Sequence, residues 1–156
     1  MLSLVFIAQT VQAVSDALRS AGVADEVLAV LDQPRLGRAL AERGHRVVQV
    51  AARVKPLRRV AGDRVCGEWQ ALPFGDAGLA AVVALGIGQR DDWAEILASW
   101  SHVVRESGAI VMIDRTSGRV PPSELTRRAL CSGLAEIEQR QVGRTTVTSG
   151  RVRKLD

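Results

Sequence analysis

Residues 27–51 read VLAVLDQPRLGRALAERGHRVVQVA, and the residue pattern changes twice along them. EVLAVL (26–31) is a short apolar run of strand length and β-branched character. Pro34 suits the first turn of a helix, which runs through about Arg43 and is stopped by Gly44. HRVVQVA (45–51) is a second strand. A strand, a short turn, a helix and a strand make a unit whose two strands lie parallel. The turn of such a unit is where nucleotide-binding α/β proteins place glycines, so that a backbone can approach a phosphate or ribose. Here the turn reads Leu31, Asp32, Gln33, Pro34 and Arg35, with no glycine before Gly37.

Working outward, the same alternation continues. Upstream, residues 2–7 (LSLVFI) read as a short strand or an apolar arm. QTVQAVSDALRSA (9–21) then spaces Val11, Val14, Leu18 and Ala21 at helical steps before Gly22. Downstream, a short helix over 55–61 follows Pro56, and DRVCGEW (63–69) is a third strand. LAAVVALG (79–86) is an unbroken apolar run, expected to be a strand buried on both faces. DDWAEILASWSHVVRES (91–107) predicts a helix capped by Asp91 or Asp92, with Trp93, Ile96, Leu97, Trp100, Val103 and Val104 on one stripe and Gly108 as its stop. AIVMID (109–114) is a fifth strand, residues 123–134 a further helix, and the last 20 residues an alternating β-hairpin at the sheet edge. The sum is one α/β domain over residues 1–156: a strand/helix extension (1–24) and a Rossmann-like core (25–156). The expected core is a doubly wound, mostly parallel, seven-stranded sheet with helices on both faces and a C-terminal antiparallel hairpin.

Composition narrows the function classes. The chain has 156 residues, 47% of them hydrophobic, with three Trp, two Phe and no Tyr, so the core must be aliphatic. The net charge is +4 and nearly all the positive charge is Arg. The basic residues are scattered, apart from Arg58-Arg59, Arg127-Arg128 and a C-terminal group, and no stacking aromatics are interleaved, which gives nucleic-acid binding little support. The N-terminal apolar run is too short to span a bilayer and lacks a basic flank, so a cytoplasmic protein without a membrane anchor is expected. Cys66 and Cys131 have no ligand-spaced partners and read as small buried side chains, with a disulfide between them left open. His45, at the start of the second strand, and His102, within the amphipathic helix, read as structural or solvent-facing, and no Ser-His-Asp or Cys-His set can be assembled. No metal site is expected.

GEWQALPFGDAGLAAVVALGIG (67–88), then a helix, then VVRESGAIVMID (103–114), resembles the class I (Rossmann-like) S-adenosylmethionine-dependent methyltransferases. ALAERGHRVVQV (39–50) matches that family's first helix and second strand, and the likeness covers roughly residues 25–150. It implies a methyl donor held by three groups: a glycine-rich turn after strand one, an acid ending strand two that takes the ribose hydroxyls, and an acid after strand three that binds the adenine amino group. The acid that usually precedes the turn aligns with Ala29, with Asp32 nearby but out of register. The ribose acid aligns with Ala51, followed by Ala52 and Arg53. Glu68 stands where the adenine acid would be, beside Trp69; the other reading of Glu68 is an exposed loop carboxylate. Gly86 and Gly88, at the end of the fourth strand, either permit a tight turn or admit a ligand or a partner's backbone. Trp93 and Trp100 read as core, or as a partner interface if exposed.

With two of the three groups absent, the resemblance implies a methyltransferase-fold protein without catalysis and without a bound cofactor, acting as a protein-binding or scaffolding subunit with a protein partner or a second copy. The alternative is a divergent active enzyme that binds S-adenosylmethionine through Glu68, Trp69, Gly86, Gly88 and Asp32. A nucleic-acid-associated domain is a third, weaker reading.

Overall fold

The computed structural model describes residues 4–60 and 62–154. At its centre β1 (Val27–Leu31) lies parallel to β2 (Arg46–Ala51) on one side and to β4 (Leu79–Leu85) on the other. β3 (Arg64–Cys66) extends the sheet beyond β2, and β5 (Val104–Arg115) pairs parallel with β4. β6 (Ala135–Val142) and β7 (Thr145–Arg151) form a hairpin whose inner strand, β7, runs antiparallel to β5. The order β3-β2-β1-β4-β5-β7-β6 is the seven-stranded, mostly parallel sheet expected from the sequence. Its hand changes between β1 and β4, where the chain leaves in opposite directions and the strand ends open a crevice.

Two aliphatic layers cover the sheet. On one face α1 (Leu4–Ser20) and α2 (Pro34–Glu42) bury Val11, Val14, Leu18, Leu36 and Leu40 against Leu28, Val30 and Val83. On the other, α3 (Trp93–Val103) and α4 (Pro122–Cys131) bring Ile96, Leu97, Trp100 and Ala129 onto Leu31, Val82 and Met112. β1 and β4 are buried along nearly their whole length, as the continuous apolar runs require.

Several boundaries differ from the sequence expectation, each for a local reason. Residues 4–7 belong to α1 rather than to a strand or arm; Ile7 is buried and continues the Val11, Val14, Leu18 stripe one turn back, a periodicity that a short apolar run conceals. Residues 2 and 3 lie outside the described residues. The helix expected to run to Ser107 stops at Val103, and Val104 already pairs with Leu79 in β5. Residues 105–108 then bulge, because Leu79 pairs with Val104 while Ala81 pairs with Ala109. Gly108 sits inside that bulge, where an added Cβ would lie 2.6 Å from the Ala80 carbonyl. β3 is three residues long, not seven, and the helix expected over 55–61 is a 3₁₀ turn, Lys55–Leu57. α4 ends at Cys131 rather than residue 134, with Gly133 left-handed just beyond it.

Candidate functional site

The crevice at the carboxyl ends of β1, β2 and β4 is where an open α/β sheet takes ligands. The turn leaving β1 begins at Asp32, whose φ of 54° is left-handed. Its N–H nonetheless bonds the Val50 carbonyl at 2.8 Å, which prolongs the β1–β2 ladder by one residue. α2 then starts at Pro34 with no side-chain cap. β2 ends at Ala51, fully buried, and the exposed Ala52 and Arg53 follow. No carboxylate stands at that strand end.

From β3 the chain turns at Gly67 and carries Glu68 and Trp69 to the crevice. Glu68 is exposed and forms only an isolated bridge with Ala71. Trp69 is half-buried and held on every side. Its indole N–H donates to Asp32 Oδ2 at 2.6 Å, and its carbonyl accepts the Trp100 indole N–H at 2.7 Å. Its ring lies 5.7 Å from the Trp100 ring, tilted by 57°. The Arg90 guanidinium sits 4.9 Å from its centroid, a cation–π distance. Arg90 is fixed in turn by Asp92, with bonds of 2.9 and 3.1 Å from Nε and Nη2. That bidentate pair holds the Asp92 carboxyl below the usual carboxylate range. Asp92 thus occupies the N-cap position of α3, but its side chain serves Arg90 instead of capping the helix. Trp100 is fully buried, and Trp93 packs partly buried against the same core under the Arg128 guanidinium.

Gly86 and Gly88 follow β4. Gly86 is left-handed at φ 86°, a conformation that side chains disfavour. Gly88 is buried, and a Cβ there would lie 2.2 Å from Leu125 Cδ2 and 2.9 Å from Asp114 Oδ2. The chain's own packing therefore accounts for Gly88, and the left-handed turn for Gly86, whose missing Cβ would meet open space. Asp114, which the sequence reading passed over, ends the apolar strand β5 at 1% exposure, and neither carboxylate oxygen has a hydrogen bond of full geometry. Burial pushes its pKa up to about 6, with the Gly88 backbone and the Arg128 charge only partly offsetting it. A lone acid closing a five-residue apolar run was the available signal.

The structure thus brings Asp32 and Trp69 together across the crevice, leaves Glu68 in solvent and puts Gly88 against Asp114. It also bears out the structural reading of His45 and corrects that of the two cysteines. His45 does meet a hydroxyl: Nε2 lies 2.9 Å from Ser15 Oγ and Nδ1 3.1 Å from the Ala24 carbonyl. Both side chains are buried, and the third member is a carbonyl rather than a carboxylate, so the pair clips α1 to the start of β2. Cys66 and Cys131 are exposed and free, neither buried nor bridged. His102 is exposed. Among the described residues no three His, Cys, Asp or Glu side chains are grouped to hold a metal ion, and no helix is long and apolar enough to cross a membrane.

This architecture is the class I S-adenosylmethionine-dependent methyltransferase fold. The chain is similar to the 1,6-didemethyltoxoflavin-N1-methyltransferase of Burkholderia thailandensis, solved with its substrate and S-adenosylhomocysteine bound: TM-score 0.74 at 16% identity over 92% of this chain and 78% of that one. A possible histamine N-methyltransferase of Thermotoga maritima matches with TM-score 0.73 at 12% identity, over 94% and 89% of the two chains. A chain of the Haloferax volcanii complex between the Trm112 methyltransferase activator and a putative methyltransferase matches with TM-score 0.67 at 14% identity, over 96% and 95%. No family model and no curated protein matches the sequence.

Proposed function

We propose that this chain is a methyltransferase-fold protein that does not use the methyl donor and serves as a protein-binding or scaffolding subunit. The observation that carries this reading is the closed pair at the crevice. The Trp69 indole is bonded to Asp32, lies under the Arg90 guanidinium and meets the Trp100 ring at a tilt, across the opening that a nucleoside would have to enter. The donor set points the same way. Ala51 offers no acceptor to ribose hydroxyls, and a site that leaves such hydroxyls unpaired loses much of its affinity and discrimination. The turn after β1 has Pro34 in place of glycine, and of the two glycines after β4 Gly88 is committed to internal packing. The residues present do not fit S-adenosylmethionine in the family's manner. That a chain of similar fold is found in complex with an activator protein supports a partner-binding role.

The second reading, a divergent active methyltransferase, draws on the solvent-accessible Glu68 at the adenine position and on a similar fold that holds S-adenosylhomocysteine. It requires Trp69 to swing away from Asp32. Isothermal titration with S-adenosylmethionine and S-adenosylhomocysteine separates the two. The first reading expects no saturable heat up to millimolar ligand; micromolar binding refutes it.

A further inference from the structure

Between residues 33 and 64 the chain holds nine basic residues and two acidic ones, although the net charge of the whole is only +4. The rest of the molecule is therefore net acidic, and the fold sets three arginines of this stretch, Arg35, Arg38 and Arg59, around one groove together with Glu42. The groove, of about 710 Å³, runs between α2 and the β2–β3 crossover; Ala41, Val47, Pro56 and Val60 line it, with Arg38, paired at 3.1 Å to the groove-lining Glu42, on the α2 wall and Arg59 on the crossover wall.

The groove exists because a layer is missing. A crossover between parallel strands ordinarily carries a helix that covers the sheet. The described residues among 52–63 supply only the 3₁₀ turn Lys55–Leu57. By register with Gln49 and Ala51, Arg64 and Cys66 of β3 face the same side as α2, and both are exposed. The far wall is nonetheless fixed: Arg64 Nη1 donates to the carbonyls of Leu57, Arg58 and Val60 at 2.7, 3.2 and 3.0 Å. The near wall approaches closely at Gly37, where a Cβ would lie 2.2 Å from the Gln49 side chain, and Gln49 itself satisfies the Pro34 carbonyl.

We propose that this groove is the docking site for an amphipathic helix of a protein partner, apolar on its inner face and acidic along its flanks, which takes the place of the absent crossover helix. The apolar floor asks for aliphatic side chains and the arginine walls for carboxylates, while no aromatic ring lines the groove to stack a base, which disfavours nucleic acid. The proposal rests on the protein-binding reading above and supplies its surface.

The test uses the whole protein and a fluorescent 18-residue probe peptide with leucines on one helical face and glutamates flanking them, about 27 Å long when helical. Fluorescence anisotropy is expected to show saturable binding in the micromolar range, weakened at least about tenfold by Arg38→Glu with Arg59→Glu. The same charge change far from the groove, Arg115→Glu with Arg144→Glu, is expected to weaken it by less than about threefold, the general-field effect alone. Circular dichroism and thermal melts check that these exposed-site variants fold. Equal losses from the two variant pairs would overturn the proposal, as would a lysine-flanked peptide or a single-stranded oligonucleotide binding as tightly. Self-association that competes with the peptide and is lost in the groove variant would reassign the groove to a second copy. A titration of the same protein with S-adenosylhomocysteine reads the donor site independently, so a failed peptide titration and a failed protein-binding reading remain distinguishable.

Discussion

Replacing Asp114 with Asn probes the least satisfied polar group near the crevice. The carboxyl is 1% exposed, neither oxygen makes a full hydrogen bond, and its pKa rises from 3.8 to about 6. In the unfolded chain the same group titrates near its ordinary value. Between those two values the folded protein retains a proton that the unfolded chain has lost, so stability falls as pH rises through this window. Above about pH 6 the penalty is complete; below about pH 4 it is absent. A shift of about two units corresponds to about 3 kcal/mol at neutral pH, and relaxation around the buried charge brings the expected gain from Asp114→Asn to about 1–3 kcal/mol. Urea unfolding of both proteins at pH 7.5 and at pH 4.5 measures it, since other carboxylates titrate alike in the two and cancel. The variant should be the more stable at pH 7.5, with about a third of that advantage left at pH 4.5. A difference independent of pH, or a less stable variant at pH 7.5, would refute the claim that Asp114 is charged, buried and unpaired at neutral pH.

Three further outcomes are expected. Gly88→Ala forces a methyl group against Leu125 and Asp114, and should lower stability by about 1–3 kcal/mol in the same urea assay, as overpacking does; an unchanged midpoint would mean that the glycine serves something other than packing. Ser15→Ala leaves His45 Nε2 without its buried partner and should lose about 1–2 kcal/mol, read as a drop in melting temperature. Both thiols, being exposed and free, should react with Ellman's reagent in the folded protein without denaturant; a slow thiol at either position would contradict its placement.

Much of the fold was legible because its strands differ in kind. LAAVVALG and AIVMI are apolar throughout and could be placed as central strands, while β6 alternates and lies at the edge; β7, read as part of the same edge hairpin, is buried along most of its length and lies inside it. The junction of α3 and β5 was not legible, because Val103 and Val104 are equally apolar and only the pairing of Val104 with Leu79 decides which element each joins. The crevice was legible by absence: Ala51 and the glycine-free turn were visible in the sequence. What replaced the missing groups was not. Asp32 and Trp69 are 37 positions apart, Ser15 and His45 are 30 apart, and no local pattern links either pair. The basic groove was hidden for the same reason, since the arginines of α2 and of the crossover look scattered until the sheet sets them face to face.

In the proposed role Trp69, bonded to Asp32, closes the crevice that the fold would otherwise offer to a nucleoside. The indole N–H resonances of Trp69 and Trp100 in a ¹H–¹⁵N spectrum, assigned through Trp→Phe variants and titrated with S-adenosylhomocysteine, test it most directly. Both signals should stay in place up to millimolar ligand. Saturable shifts of the Trp69 signal at micromolar ligand, with loss of its bond to Asp32, would contradict it.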